Sequence, residues 1–395
     1  MRKPLVPLLL LLLLLSGCSQ LPFTLDAAGH QARLSNQQLA RSPYNQFGFD
    51  LLRTLPLEEN VLISPISIAL ALAMAQNGAD GDTAREMAEA LRVTGIALEE
   101  LNQSNADLQA KLQDADVTLQ IANSLWLSRG VRFRQQFIDD NRAFYDAEVS
   151  EVDFAQLTTA DTINAWVKEK TNDLIEKIIS RTDPSTLACL VNAIYFHGEW
   201  QQPFDPELTQ AGVFHTPDGE LQAQFMQRSG LFDYLEGKDL QAIRLPYGEG
   251  RMAMYVFLPQ DLDQFCRQLT AVQWQRLLKG FEQAPGKLAL PKFKFGYEQE
   301  LKDELQVLGM RKAFSGDADF SRMTDEAMWI SKVLHKAVIE VDETGTEAAA
   351  VTAVIACGGL PEAPFTMTVD RPFLFVIHDR ETDAILFIGT VQDPS

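Results

Sequence analysis

The chain has 395 residues, 46% of them hydrophobic and 22% charged, a composition that suits a soluble globular protein of one large domain or a few ordinary ones. Its formal net charge of −20 repels phosphate backbones and argues against nucleic-acid binding. Four cysteines in so long a chain do not make a disulfide scaffold.

The N-terminus reads as an export signal. Arg2 and Lys3 precede an almost pure leucine run over residues 5–15, too short for a membrane-spanning helix, which needs ~20 residues. The run ends in Leu15-Ser16-Gly17-Cys18, which looks like a bacterial lipobox with Cys18 as the lipid-bearing residue. The alternative is an ordinary secretory peptide, residues 1–17, with an incidental cysteine. Cleavage would remove Arg2 and Lys3 and leave the chain more acidic. Ser19 after the cysteine resembles an outer-membrane address. Residues 18–40 contain Pro22, Gly29 and no sustained periodicity, as expected of a tether; ~20 flexible residues span ~25 Å.

From residue 41 to 395 no linker, repeat or low-complexity stretch interrupts the chain, which predicts one domain. Helical periodicity appears at Phe47, Phe49, Leu51, Leu52 and Leu55. Ser64-Pro65 supplies a cap and a first-turn proline for a second helix that is apolar on all sides and therefore buried. Ile163, Trp166, Val167, Leu174, Ile175, Ile178 and Ile179 predict one amphipathic helix. Strands are predicted over 118–122, 188–196, 252–258, 288–295, 333–341, 373–378 and 385–391. Several are wholly apolar, as for strands covered on both faces. Helices dominate early and strands late, which argues for α+β.

Residues 343–364 are the unusual stretch. Gly345 interrupts a strong strand and can absorb a backbone change. Residues 346–356 follow without a turn residue, helix-forming first and strand-forming later. Cys357-Gly358-Gly359 and Pro361 then favour an exposed loop. As a strand, one face would carry Thr346, Ala348, Ala350, Thr352, Val354 and Ala356, none charged. The other would carry Glu347, Ala349, Val351, Ala353 and Ile355, with one charge at its margin. A whole face can therefore be buried with no ionic cost. By itself the stretch is equally an Ala-rich helix or an ordinary buried strand.

No motif for an enzyme nucleophile, a metal site or a phosphate loop is present, so the chain is expected to be no enzyme and to need no cofactor. His335 and Cys189 read as core residues, and His197 with Glu199 as a strand end.

The flanks resolve the ambiguous stretch through a resemblance. The run from Val338 through Glu343, Gly345 and Thr346 to Ala350 resembles the hinge signature of the serpins, a family of protease inhibitors. Asn60-Val61-Leu62-Ile63-Ser64-Pro65-Ile66-Ser67, Ala122-Asn123-Ser124-Leu125-Trp126, Val191-Asn192-Ala193-Ile194-Tyr195-Phe196, Leu290-Pro291-Lys292-Phe293-Lys294 and Asp370-Arg371-Pro372-Phe373 are similar to family segments in the family's order. The resemblance covers nearly all of the chain after Tyr44. Phe196-His197-Gly198 departs from the family's Phe-Lys-Gly.

The resemblance implies an α+β fold of about eight or nine helices on three β-sheets with an exposed reactive-centre loop. It implies a single-use inhibitor whose cleaved loop inserts into the central sheet and distorts a covalently attached protease. The hinge would comprise Glu343, Gly345, Thr346, Glu347, Ala348, Ala349, Ala350 and Thr352. Ser64, Ser67, Asn192 and His335 would form a polar shutter. Lys292 and Glu343 would pair at the top of the sheet, with Trp200 beneath. The family's spacing puts the scissile bond at Gly359-Leu360, with Ala356, Cys357 and Gly358 as competitors. The residues before these bonds are small and uncharged, which points to a serine protease of elastase-like or subtilisin-like specificity, or a papain-like cysteine protease. The expected partners are that protease and a membrane reached through the lipid alone; the chain is expected to be monomeric. A carrier or chaperone of the same fold is the alternative function.

Overall fold

A computed structural model describes residues 43–113, 117–346 and 365–395. Nine α-helices lie among them: α1 Tyr44–Leu52, α2 Pro65–Gln76, α3 Gly81–Ala90, α4 Leu98–Gln113, α5 Gln135–Tyr145, α6 Thr158–Lys170, α7 Leu262–Gln268, α8 Ala271–Leu278 and α9 Lys302–Val307. The strands are β1 Val61–Ile63, β2 Thr118–Ser128, β3 Glu148–Val152, β4 Ala188–Glu199, β5 Gln210–Thr216, β6 Gly219–Gly237, β7 Leu240–Pro246, β8 Met252–Pro259, β9 Glu282–Pro291, β10 Phe293–Glu300, β11 Lys332–Val341, β12 Gly345–Thr346, β13 Phe365–Thr368, β14 Phe373–Asp379 and β15 Ala384–Val391. The α+β expectation holds, and so does the helix number.

The strands form two hydrogen-bonded networks. One runs β1-β15-β14-β8-β7-β6-β9-β13 with β5 attached to β6. The other runs β10-β11-β12-β4-β2-β3, with β11 also pairing directly with β4. The three sheets expected from the resemblance are joined into two networks because β6 is long enough to serve twice. Its first part pairs with β5, its last part with β7, and β9 follows its middle.

Helix α2 is the hub. Ser64 accepts the Ser67 amide and Pro65 occupies the first turn, the pairing expected from the sequence. Every residue of α2 is buried, because it packs against β15 on one side and β2 and β4 on the other. The largely apolar strands β8, β14 and β15 are wholly buried, as predicted.

Two boundaries differ from the sequence reading. The helix expected through Ile179 ends at Lys170, because Asn172 and Asp173 take left-handed φ angles of 49° and 65°. Ile175, Ile178 and Ile179 are nevertheless buried against Cys189, Val191 and Leu334. Asn164 holds this irregular segment by accepting the amides of Ile178 and Ile179 at 2.8 and 3.0 Å. The apolar spacing is met by a segment draped over the sheet, and a continuing helix is not needed. The strand expected over 288–295 is two strands. Lys292, whose amide donates to the Gln224 carbonyl at 2.8 Å, turns the chain from one sheet into the other.

Candidate functional site

The middle of the six-stranded sheet is polar. Asn123 of β2 lies opposite Asn192 of β4, and Asn192 lies opposite His335 of β11. The three make one row across neighbouring strands. The Asn192 amide nitrogen donates to Ser67 Oγ of α2 and, at 2.6 Å, to Asn123 Oδ1. That leaves Asn192 Oδ1 as the acceptor for His335 Nδ1 at 2.7 Å, so the neutral imidazole carries its proton on Nδ1. Among the described residues, Ser64 joins the row through the Ser67 backbone amide. All five side chains are buried. Burial pushes His335 down to about 4, with the Leu62 backbone opposing.

Above this row the sheet opens. Strands β4 and β11 run parallel and pair from Cys189 with Lys332 up to Ile194 with Ala337. Beyond that point β12 lies between them. Thr346 pairs antiparallel with both Gly198 and Val341, and Gly345 with Glu199. A Cβ on Gly345 would come within 2.2 Å of the Gly198 carbonyl oxygen. Glycine is required here by space; its φ is not in the left-handed region. Glycine at position 345 thus permits a close backbone approach. Thr346 is 1% exposed, and its Oγ1 shares a 2.6 Å hydrogen bond with the Tyr247 hydroxyl.

The turn that carries β12 is tied down by a second cluster. Lys292 Nζ lies 2.7 Å from Glu343 Oε2, and Thr209 Oγ1 donates to Glu343 Oε1 at 2.7 Å. Burial alone would raise the Glu343 carboxyl, but these hydrogen bonds outweigh it and hold it below the usual carboxylate value. Trp200 Nε1 donates to the Asp342 carbonyl at 2.9 Å, and its ring stacks on Tyr247 at 4.5 Å. Trp200 therefore holds the backbone beside the ion pair; it packs on Tyr247.

The structure thus gathers Ser64, Ser67, Asn192 and His335 into one row and Trp200, Lys292, Glu343, Gly345 and Thr346 around the opening. Cys18, Glu347, Ala348, Ala349, Ala350, Thr352, Ala356, Cys357, Gly358, Gly359 and Leu360 lie outside the described residues. Asn123, Thr209 and Tyr247 were not singled out from the sequence. Asn123 had a usable signal, since it lies in a recognised segment; Thr209 and Tyr247 are brought in by the strands β4 to β8 alone.

The chain matches the family described as Serpin (serine protease inhibitor) over residues 42–394. It is 37% identical over 367 residues to a serpin-like protein of Thermococcus kodakarensis, covering 89% of this chain and 84% of that one. It is 35% identical over 372 residues to the leukocyte elastase inhibitor of Bos taurus, covering 88% and 98%. The crystal structure of the thermophilic serpin Tengpin in its native state superposes with a TM-score of 0.85 at 33% identity, covering 90% and 94%.

The depressed His335 value gives a pH dependence with a definite sign. Above about pH 6.5 neither the closed nor the unfolded state binds the proton. Below it the unfolded chain takes a proton that the buried ring refuses, so stability is lost as pH falls towards 4. Between pH 7.5 and 5.0 the loss from this group is about 2 kcal/mol. Urea titrations at the two pH values should show that loss in wild type and its absence in His335→Gln; equal losses would dissociate His335 from it.

Proposed function

This chain belongs to the serpin family, and we propose that it is an inhibitory member which traps a serine or cysteine endopeptidase by inserting its cleaved loop between β4 and β11. The observation that carries this reading is the two-residue wedge β12, antiparallel to both neighbours at the open end of a parallel pair.

The register defines what insertion would do. Thr346 stands opposite Gly198 of β4 and Val341 of β11. Each further residue of an inserted strand would step one position back along both neighbours. Continued down the slot, Thr352 would meet Asn192 and His335, which already face each other. Ala356 meets Ala188, where β4 begins. Residues 346–356 therefore match the slot, and the uncharged alternate face that begins with Thr346 turns inward. Insertion replaces one parallel pairing by two antiparallel ones, which pair somewhat better per residue. It must first break the β4–β11 ladder and the bond between Asn192 and His335; Thr352 brings a hydroxyl to the same row. An eleven-residue strand spans ~35 Å, so an acyl-enzyme attached at its end would be carried down the sheet before water completes hydrolysis.

The chemistry of the loop sequence supports a target with a small or shallow pocket, elastase-like or subtilisin-like, since no Arg or Lys lies between Thr346 and Leu360. The bovine relative named for leukocyte elastase adds to this. Mixing the chain with elastase should give an SDS-stable complex and release a peptide beginning at Leu360. A peptide beginning outside 357–360 rejects the bond assignment, and complexes with trypsin but not elastase reject the specificity.

Thr346→Arg places a charge against Tyr247 in a site 1% exposed. Thr346 already lies between β4 and β11, so the charge should expel the wedge, and its desolvation must be met before the loop can enter; the ratio of cleaved protein to covalent complex should rise by roughly fivefold or more. An unchanged ratio means that insertion does not begin with this side chain inward.

Export and anchoring belong to the same proposal. Residues 1–17 are read as a signal peptide and Cys18 as the lipid-bearing residue of an outer-membrane lipoprotein. Metabolic labelling with a fatty acid should mark wild type and spare Cys18→Ala; equal labelling rejects the anchor. The carrier alternative draws support from the thyroxine-binding globulin structure in complex with thyroxine, which superposes with a TM-score of 0.83 at 27% identity, covering 91% of this chain and 100% of that one. It predicts loop cleavage without any covalent complex.

A further inference from the structure

The wedge β12 ends one step before a level of the sheet that carries titratable side chains on both sides of the opening. Thr346 stands opposite Gly198 and Val341. The next level holds His197 of β4 and Glu340 of β11. The parallel register that sets His335 beside Asn192 also sets these two beside each other when it is continued past its last pair. Burial alternates along both strands: Phe196 and Gly198 are buried around a half-buried His197, and Ile339 and Val341 are buried around a half-buried Glu340. His197 and Glu340 therefore lie on the outer face, opposite to the one on which Thr346 meets Tyr247.

The two sides differ in what they already hold. Glu340 pairs with Lys294 Nζ of β10 at 2.6 Å. The His197 imidazole has no hydrogen bond or ion pair among the described residues, and it stands where the family pattern has a lysine. On its own strand Tyr195 and Glu199 share its face. Strand β2 sets Thr118 opposite His197 and Gln120 opposite Tyr195, and β12 brings only the uncharged Gly345 and Thr346. Glu249 follows Gly248, whose amide donates to the Glu199 carbonyl at 2.9 Å. The cavity that Thr118 also borders adds charges of both signs, Arg142, Asp146, Glu148, Glu169 and Lys170. The charged groups that register places beside His197 are thus carboxylates, Glu199 and Glu340.

The next residue of the chain after the wedge is Glu347, which lies outside the described residues. One further step of the same register brings it between His197 and Glu340. We propose that His197 is a positioning residue for loop insertion, whose protonated ring supplies the counter-charge for Glu347 as that side chain enters beside Glu340. This rests on the insertion reading above and adds a pH dependence to it. Like charges directly opposite in a sheet are unfavourable and unlike charges favourable. With a neutral imidazole, Glu347 gains a carboxylate on the β11 side and no cation on the β4 side. With an imidazolium, the same step forms an ion pair. The inserted state then binds the proton more tightly than the open one, so a fall in pH through the ordinary histidine range drives insertion. The sign is opposite to that of the stability loss at His335, whose buried ring refuses the proton.

The test is the ratio of cleaved protein to SDS-stable complex with elastase at about pH 5.5 and about pH 8, each variant divided by wild type at the same pH. That division cancels the protease's own pH profile and the titration of His335. His197→Gln should raise the ratio roughly threefold at the lower pH and leave it unchanged at the higher. His197→Lys should leave it unchanged at the lower pH and reduce it roughly threefold at the higher. In a Glu347→Gln background neither substitution should change the ratio at either pH, whereas a folding effect would persist there. Equal ratios for wild type and His197→Gln at both pH values, or an effect of His197→Gln that survives in Glu347→Gln, overturn the proposal while complexes still form. Absence of complexes from wild type at both pH values overturns the insertion reading and this one with it.

Discussion

The parallel contact between β4 and β11 is the interaction on which the rest of this molecule depends. It is the weaker kind of strand pairing, and it is incomplete. It stops at Ile194 with Ala337, and the chain beyond it is already parted by Gly345 and Thr346. Of the pairings in this sheet, this one is parted at one end. The packing around it resists further parting. Helix α6 and the irregular segment after it lay Ile163, Val167, Ile175, Ile178 and Ile179 over Cys189, Val191 and Leu334, and so bridge the two strands from outside. Lys336 of β11 reinforces the bridge by donating to the Lys177 carbonyl at 2.6 Å.

Polar groups hold the closed state from within, by two different physical means. In the row of Asn123, Asn192 and His335 the bonds are neutral and fully buried, so their worth lies in the cost of leaving any of them unmade. They therefore resist parting of the strands at this level. At the top, Lys292 and Glu343 keep partial access to water, with side chains 39% and 11% exposed, and solvent screening limits what that pair contributes. Its more important work is geometric. Together with the Trp200 indole on the Asp342 carbonyl and the Phe204 amide on the Glu343 carbonyl at 2.8 Å, it fixes the turn from which β12 starts. That turn fixes the register of Gly345 and Thr346 against β4 and β11.

Much of this was legible along the chain. Ser64-Pro65 announced the central helix through local capping chemistry, and the largely apolar strands announced double coverage, because both depend on residues close in sequence. The alternation from Thr346 onward announced a face without charge. Where pattern reading went astray, the cause was tertiary. Ile175, Ile178 and Ile179 keep helical spacing but are buried by a draped segment that two left-handed residues and Asn164 hold in place. Strand β6, the longest among the described residues, went unread because polar residues such as Gln222, Gln224, Gln227 and Arg228 interleave its apolar ones; its pairing with β5, β7 and β9 makes it a strand.

The sequence by itself determined the family, the fold class, the small uncharged face after Gly345 and the identity of most polar residues at the sheet's centre, since each rests on residue type and local order. The tertiary structure alone decided how they meet. It placed Asn192 against Asn123 and His335 from strands remote in sequence, brought Tyr247 to Thr346, and put the Gly198 carbonyl where any Cβ on residue 345 would collide. It also left residues 118–123 of β2 beyond the reach of β3. Strand register and the free edges of a sheet are properties of pairings between distant segments, and no single segment carries them.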